Sequence, residues 1–190
     1  MSKNLYIADT HFDHGNIIKF DGRPFKDLDE MHEIMIANWN AAANKDDSVY
    51  ILGDFCWGKE PKWKNILDQL NGNKYLIKGN HDGLSMSSSL KSKFTWIGDY
   101  KEVKDSGYKL LLSHYPMLFY KHDYDSRFYM LYGHVHNTIE NKFLLDAMER
   151  IHEADFNGSP RNQCQLINVG CMMPYMNYTP RTFQEIAALS

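Results

Sequence analysis

The sequence predicts an α/β protein of two packed sheets with helices on the outside, and three observations carry that expectation. In the first half, short apolar runs alternate with amphipathic helical segments, an order that gives a largely parallel sheet joined by right-handed crossovers. In the second half, two apolar runs flank Asp105-Ser106-Gly107, a hairpin-like turn, so an antiparallel pair enters there. A chain of 190 residues, 43% of them hydrophobic, is enough for one domain over 1–190 with a sizeable core and short for two. No internal repeat, linker or low-complexity stretch interrupts it.

The elements follow in order. Leu5 to Ala8 reads as a buried first strand, followed by a polar loop from Phe12 to Phe25. Asp27 can cap a helix whose apolar positions Leu28, Met31, Met35, Trp39 and Ala42 recur by threes and fours. Val49 to Leu52 is the second strand. A second helix is expected from Pro61 to the stop signal Asn71-Gly72, and Tyr75 to Ile77 is the third strand. Tyr100–Val103 and Tyr108–Leu112 are the hairpin strands, and Phe128–Tyr132 is another. A helix is predicted over Lys142–Ala154, then a loop rich in Asn, Gly and Pro, then strands near Leu166-Ile167-Asn168 and Thr182-Phe183-Gln184.

Composition narrows the function. The 21 basic and 24 acidic residues leave a net charge of −3 without blocks of like charge, so no basic face is expected and no stable nucleic-acid complex. Cys56, Cys164 and Cys171 lack CxxC spacing and fit a reduced, cytoplasmic protein rather than a disulfide framework or a thiolate zinc site. Neither a signal segment nor a membrane-spanning stretch is read.

The chemistry lies where apolar runs end. Gly79-Asn80-His81-Asp82 follows Tyr75-Leu76-Ile77, placing three polar heads at the carboxyl end of a strand, where open α/β sheets bind ligands. Four further clusters sit likewise: Asp9-Thr10-His11, Gly53-Asp54, Ser113-His114 and Gly133-His134-Val135-His136. Singly, each has a plain explanation, since Asp at a strand end often caps a helix and a loop histidine often packs. Jointly they do not: five of nine histidines sit at predicted strand ends with Asp9, Asp54, Asn80 and Asp82, a clustering that packing gives no reason for. Asp9, His11, Asp54, Asn80, His114, His134 and His136 offer oxygen and nitrogen donors without a thiolate, suited to a borderline or hard divalent metal. They are too many for one ion and serve two if a carboxylate bridges, the pair then clamping a displacement at phosphorus.

These motifs, in this order, resemble the calcineurin-like metallophosphoesterase superfamily, and more narrowly its small single-domain bacterial and phage members through Asn16-Ile17-Ile18 and Arg23-Pro24-Phe25. The resemblance covers residues 5–136 closely and the carboxyl strands more loosely. It implies a four-layer αββα sandwich of two mixed sheets flanked by helices. It also implies two divalent ions, manganese first, with iron, zinc, nickel or cobalt as alternatives. By motif position Asp9, His11 and His136 would hold one ion, Asn80, His114 and His134 the other, and Asp54 would bridge. His81 would contact the substrate phosphate and protonate the leaving oxygen, with Asp82 orienting it, while a metal-bridging hydroxide attacks phosphorus. The implied substrate is a phosphodiester or phosphomonoester.

Outside the motifs, His14, Asn16 and Arg23 can touch substrate, or the last two can fix their loop by hydrogen bonds. Lys59 and Arg127 are possible phosphate contacts, more often solvated. His32, His122 and His152 read as surface histidines, and Cys56 as a small packed hydrophobe. The Met172–Tyr178 group fits a substrate wall, a dimer contact or ordinary core. Two competing functions remain: a nuclease or cyclic-nucleotide phosphodiesterase, weakened by the missing basic stripe, and a metal-stabilised scaffold without turnover. The oligomeric state is left open.

Overall fold

A computed structural model describes residues 2–83, 85–156, 159–160 and 164–190. Its elements are β1 (Asn4–Ile7), α1 (Ile17–Phe20), α2 (Leu28–Ala42), β2 (Ser48–Leu52), α3 (Glu60–Leu67), β3 (Asn73–Ile77), α4 (Ser88–Lys91) and β4 (Trp96–Gly98). They continue with β5 (Tyr100–Asp105), β6 (Tyr108–Ser113), β7 (Phe128–Tyr132), α5 (Ile139–Glu153), β8 (Asp155–Phe156), β9 (Ser159–Pro160), β10 (Gln165–Asn168) and α6 (Phe183–Leu189). Part of the expected Asn-, Gly- and Pro-rich loop, residues 157, 158 and 161–163, lies outside the described residues.

Strand alternation builds the layers. In β1, Leu5 and Ile7 join Val49, Ile51 and Leu76 against Met31, Met35 and Trp39 of α2 and Trp63, Ile66 and Leu67 of α3. Tyr6 and Ala8 point the other way, with Tyr50, Leu52 and Ile77, onto Leu110, Leu112, Leu131 and Ile167 of the second sheet. The outer face of that sheet, Leu111, Phe128, Met130, Tyr132 and Leu166, packs on Leu144, Met148 and Ile151 of α5. The period of two thus sorts residues to opposite faces and yields helix, sheet, sheet, helix, the expected four layers.

The sheets have the orders β1-β2-β3-β4 and β10-β7-β6-β5. The first is parallel throughout its named strands, and an antiparallel bridge between Tyr6 and Arg181 lies at its β1 edge. The second is mixed, with β10, β7 and β6 parallel and the β5–β6 hairpin antiparallel. The hairpin turns on Ser106 and Gly107, both at positive φ (51° and 86°), the backbone twist that two-residue loops require.

Local signals fix several boundaries. Asp27 accepts from the amide of Glu30 at 2.9 Å and caps α2. Pro61 sits in the first turn of α3, which stops at Leu67, four residues before Asn71-Gly72. Helix α5 starts earlier than the sequence suggests because Thr138 caps it. The expected strand at Thr182-Phe183-Gln184 is instead the start of α6: Thr182 and Glu185 form a reciprocal capping box, which outweighs the β-branched and aromatic composition.

Candidate metal centre

Every motif arrives from the carboxyl end of a strand. β1 delivers Asp9 and His11, β2 Asp54, β3 the Asn80-His81-Asp82 turn, β6 His114, and β7 His134 and His136. The loops are tied to each other by backbone bonds: the His11 amide donates to the Asp54 carbonyl at 2.9 Å, and Gly133 to the His114 carbonyl at 3.0 Å. Asp9, His11, Asp54, His134 and His136 all take left-handed backbone, with φ from 48° to 70°. Non-glycine residues seldom adopt it, and such strain concentrates where surrounding structure must aim side chains. Gly53 (φ 86°) has a separate reason to be glycine, because a Cβ there would lie 2.2 Å from Nδ1 of His114.

The donors converge. Ligand atoms of Asp9, His11 and His136 lie within 4.8 Å of one another, as do those of Asp9, Asp54 and His114. Asp9 is common to the two groups, and Oδ2 of Asp54 lies 3.6 Å from Nε2 of His11 and 3.6 Å from Nε2 of His114, one histidine of each. Its Oδ1 accepts from the His81 amide at 2.9 Å, and both Asp9 oxygens accept from the His134 amide.

Tautomers sharpen the picture. Nδ1 of His114 bonds the Leu52 carbonyl at 2.8 Å, and a carbonyl only accepts, so this nitrogen carries the hydrogen. Nε2 of the neutral ring is then a bare lone pair, and it faces Oδ1 of Asn80 at 3.0 Å. Similarly, Nδ1 of His136 lies 2.6 Å from Oδ1 of Asp21, and its Nε2 faces Nε2 of His11 at 3.3 Å. At His114 and Asn80, lone pairs aimed at one another without a hydrogen between them fit a site built for a cation.

Burial sets the protonation. Desolvation pushes the Asp9 carboxyl up to about 7, assisted by Asp54 and opposed by His136 and the His134 amide. Desolvation lowers His11 to about 2 and also lowers His114 and His134, keeping the rings neutral. For His136 burial acts downward too, but the Asp21 hydrogen bond and the charges of Asp9 and Asp21 carry it above the usual imidazole value.

Supporting residues depart from expectation. Asp82 is buried and spends its oxygens on the backbone, Oδ2 accepting from Asp54 and Gly79 and Oδ1 from Phe55. It therefore clamps two loops together, and the expectation that it orients the His81 ring gives way. That ring, 42% exposed, lies 4.0 Å from Oδ2 of Asp54 and beside the Trp57 ring, centroids 5.1 Å apart.

Arg23 is buried, donating from Nη1 to the Thr10 carbonyl (2.8 Å), from Nη2 to the Asp9 carbonyl (2.9 Å) and from Nε to Asp21 (2.9 Å). It fixes its loop and the first motif and is not free for substrate. Asp21, not singled out in the sequence, links this arginine to His136 across 115 residues. Among the other candidates, His14 stacks on Trp57 at 4.3 Å with its centroid 5.4 Å from that of His11, and Asn16 is exposed at the head of α1. Arg127 pairs with Asp125 at the surface. His32 is half-buried and accepts from the Asp13 amide, so it braces the first loop rather than lying free on the surface. Met173 and Met176 pack into the core between the sheets.

A family model for the calcineurin-like phosphoesterase superfamily domain matches residues 3–187. The chain belongs to the calcineurin-like phosphoesterase superfamily. A solved structure, the protein of unknown function AQ665 from Aquifex aeolicus, is 26% identical, and the match covers 100% of both chains with a TM-score of 0.67. An uncharacterized protein of Methanocaldococcus jannaschii is 36% identical over 138 residues, 72% of this chain and 70% of that one. The Gene 66 protein of Mycobacterium phage L5 is 34% identical over 87 residues, 44% of this chain and 41% of the phage protein. Among the described residues, no helix is long and apolar enough to cross a membrane.

Proposed function

We propose that this superfamily member is a phosphoesterase holding two divalent ions, with Asp9, His11 and His136 on one, Asn80, His114 and His134 on the other, and Asp54 between them. The observation that carries this is the equal 3.6 Å reach of Asp54 Oδ2 to His11 and His114, one histidine from each set. When bound, the ions would polarise a phosphoryl group and make an attacking water acidic. The chain does the rest. Asp82 fastens the Asp54 loop to the Gly79 turn, and Asp54 in turn holds the His81 amide, so donors and acid keep one spacing. His81, partly exposed beside Asp54, is placed to contact the substrate phosphate and give a proton to the departing oxygen.

An oxygen- and imidazole-rich site without thiolate suits a borderline or hard divalent ion, manganese, iron and zinc among them. The direct test is hydrolysis of bis-p-nitrophenyl phosphate and p-nitrophenyl phosphate by protein stripped of metal and reloaded with Mn²⁺, Zn²⁺ or Mg²⁺. Metal-dependent turnover supports the enzyme and the preferred ester narrows its class. Metal binding with neither ester cleaved would favour the scaffold.

Asp21 is a carboxylate behind a metal-binding imidazole, which fixes its tautomer and direction. Asp21→Asn is expected to weaken binding of one ion about ten- to a hundredfold while the second stays near its original affinity. Calorimetric Mn²⁺ titration resolving the two sites checks this, and equal weakening of both would contradict the assignment of His136.

The protonation of Asp9 gives a pH dependence. Below about 7 its carboxyl keeps a proton in the metal-free protein, and a cation must displace it. His136, raised by Asp21, competes in the same sense, whereas the lowered His11 does not. Mn²⁺ affinity should therefore fall below neutrality, by up to about tenfold per pH unit for each of the two protons displaced, and level off above it, as titrations at several pH values would record. A flat profile would contradict metal ligation by both Asp9 and His136.

A further inference from the structure

The donor cluster is bordered by aromatic rings that the chain leaves in water. Trp57 is 41% exposed, Phe20 75% and Tyr115 48%. Trp57 lies three residues after Asp54, stacked on His14 at 4.3 Å and beside His81 at 5.1 Å. Phe20, next to Asp21, meets the edge of His14 at 6.3 Å. At the other end of the cluster, Tyr115 follows His114 and sits edge-on to His134 at 4.6 Å. The backbone at two of these positions is fixed. The Trp57 amide donates to the Phe12 carbonyl at 2.7 Å, and Tyr115 is followed by Pro116, which stiffens its backbone.

Exposed aromatic surface has a cost in water, and that cost is recovered when a flat partner covers it. Here the rings stand at both ends of a cluster suited to phosphate. A phosphomonoester carries one organic arm, but a diester carries two and can place one at each end. With a net charge of −3 and no block of like charge, the sequence offers no basic stripe for a long polyanion. Stacking is the recognition that these rings supply.

Building on the phosphoesterase proposal, we infer that the substrate is a small phosphodiester with a planar aromatic ring, nucleobase or aryl, on the retained ester arm seated against Tyr115, the leaving arm lying beside Trp57. Trp57, beside His81, borders the leaving-group side, and Tyr115 borders the retained arm. Both are specificity-determining contacts. They are not ligands or acids.

The test keeps the leaving group constant. Metal-loaded protein is given methyl, phenyl and thymidine 5′ esters of p-nitrophenyl phosphate. The phenyl or thymidine ester should exceed the methyl ester in kcat/KM by roughly tenfold or more, in line with base–aromatic stacking. A preference confined to the thymidine ester identifies a nucleobase, and one shared by the phenyl ester identifies any aryl group. In Tyr115→Ala the aryl-to-methyl ratio should fall towards one, and Tyr115→Phe should restore it. A second readout does not need turnover: thymidine 5′-monophosphate, which carries the retained arm, should bind the native protein about tenfold or more tightly than methyl phosphate, and Tyr115→Ala should remove the difference. Equal rates for all three esters in the native protein, or an unchanged ratio in Tyr115→Ala, would overturn this inference and leave the phosphoesterase standing. No cleavage of any ester by metal-loaded protein would overturn both.

Discussion

Asp54→Asn is expected to lose both metal ions and to lower phosphodiester turnover by roughly a thousandfold or more, because metal activation contributes several kcal/mol to such displacements. The expectation follows from one oxygen. Oδ2 of Asp54 is the atom that lies 3.6 Å from a histidine of each set, and its residue is only 2% exposed. An amide has the same shape but no charge to offset two cations held close together. Its oxygen can still accept from the His81 amide, as Oδ1 of Asp54 does, so the turn should keep its form. Bound metal per chain, measured with the melting temperature of the metal-free protein, separates the two effects. Little metal with an unchanged metal-free melt is expected. A metal-replete, active variant would remove Asp54 from the bridging position.

His81→Gln is expected to behave in the opposite way, with turnover lower by about a hundred- to ten-thousandfold and metal content unchanged. His81 is fixed by its backbone amide, while its ring stands partly in solvent against Trp57. Removing the ring leaves the seven proposed donors in place. An acid matters most when the departing oxygen is basic, so the loss should be larger for alkyl leaving groups than for p-nitrophenolate. A variant equally impaired on both, or one that has lost metal, would show a structural role instead.

What the sequence made legible was whatever is local. Strand β7 spans the predicted Phe128–Tyr132, Asp27 caps α2 as expected, and the five polar clusters meet at one end of the two sheets. These signals need only a period, a cap or a strand end. The support around the centre was hidden because its partners are distant in the chain. Asp21 reaches His136 across 115 residues, and no spacing rule reveals that bond. Arg23 was given a choice between substrate and loop, and burial decides for the loop. The adjacency of Asp82 to His81 in sequence suggested a pair, but the turn sends the carboxylate inward to three backbone amides. At Thr182 the misreading was local: two β-favouring residues concealed a Thr-x-x-Glu capping box. Trp57 and Tyr115 adjoin the motifs, yet an aromatic residue after a strand reads as core until its exposure is seen.

The most direct test of the central claim is the number of divalent ions bound per chain after metal-free protein is loaded with Mn²⁺ and freed of excess. The proposed sharing, with Asp9, His11 and His136 on one ion, Asn80, His114 and His134 on the other and Asp54 between them, predicts two ions per chain, falling sharply in Asp54→Asn. A native protein that binds none, across Mn²⁺, Zn²⁺ and Fe²⁺ at neutral pH, would contradict the account at its root.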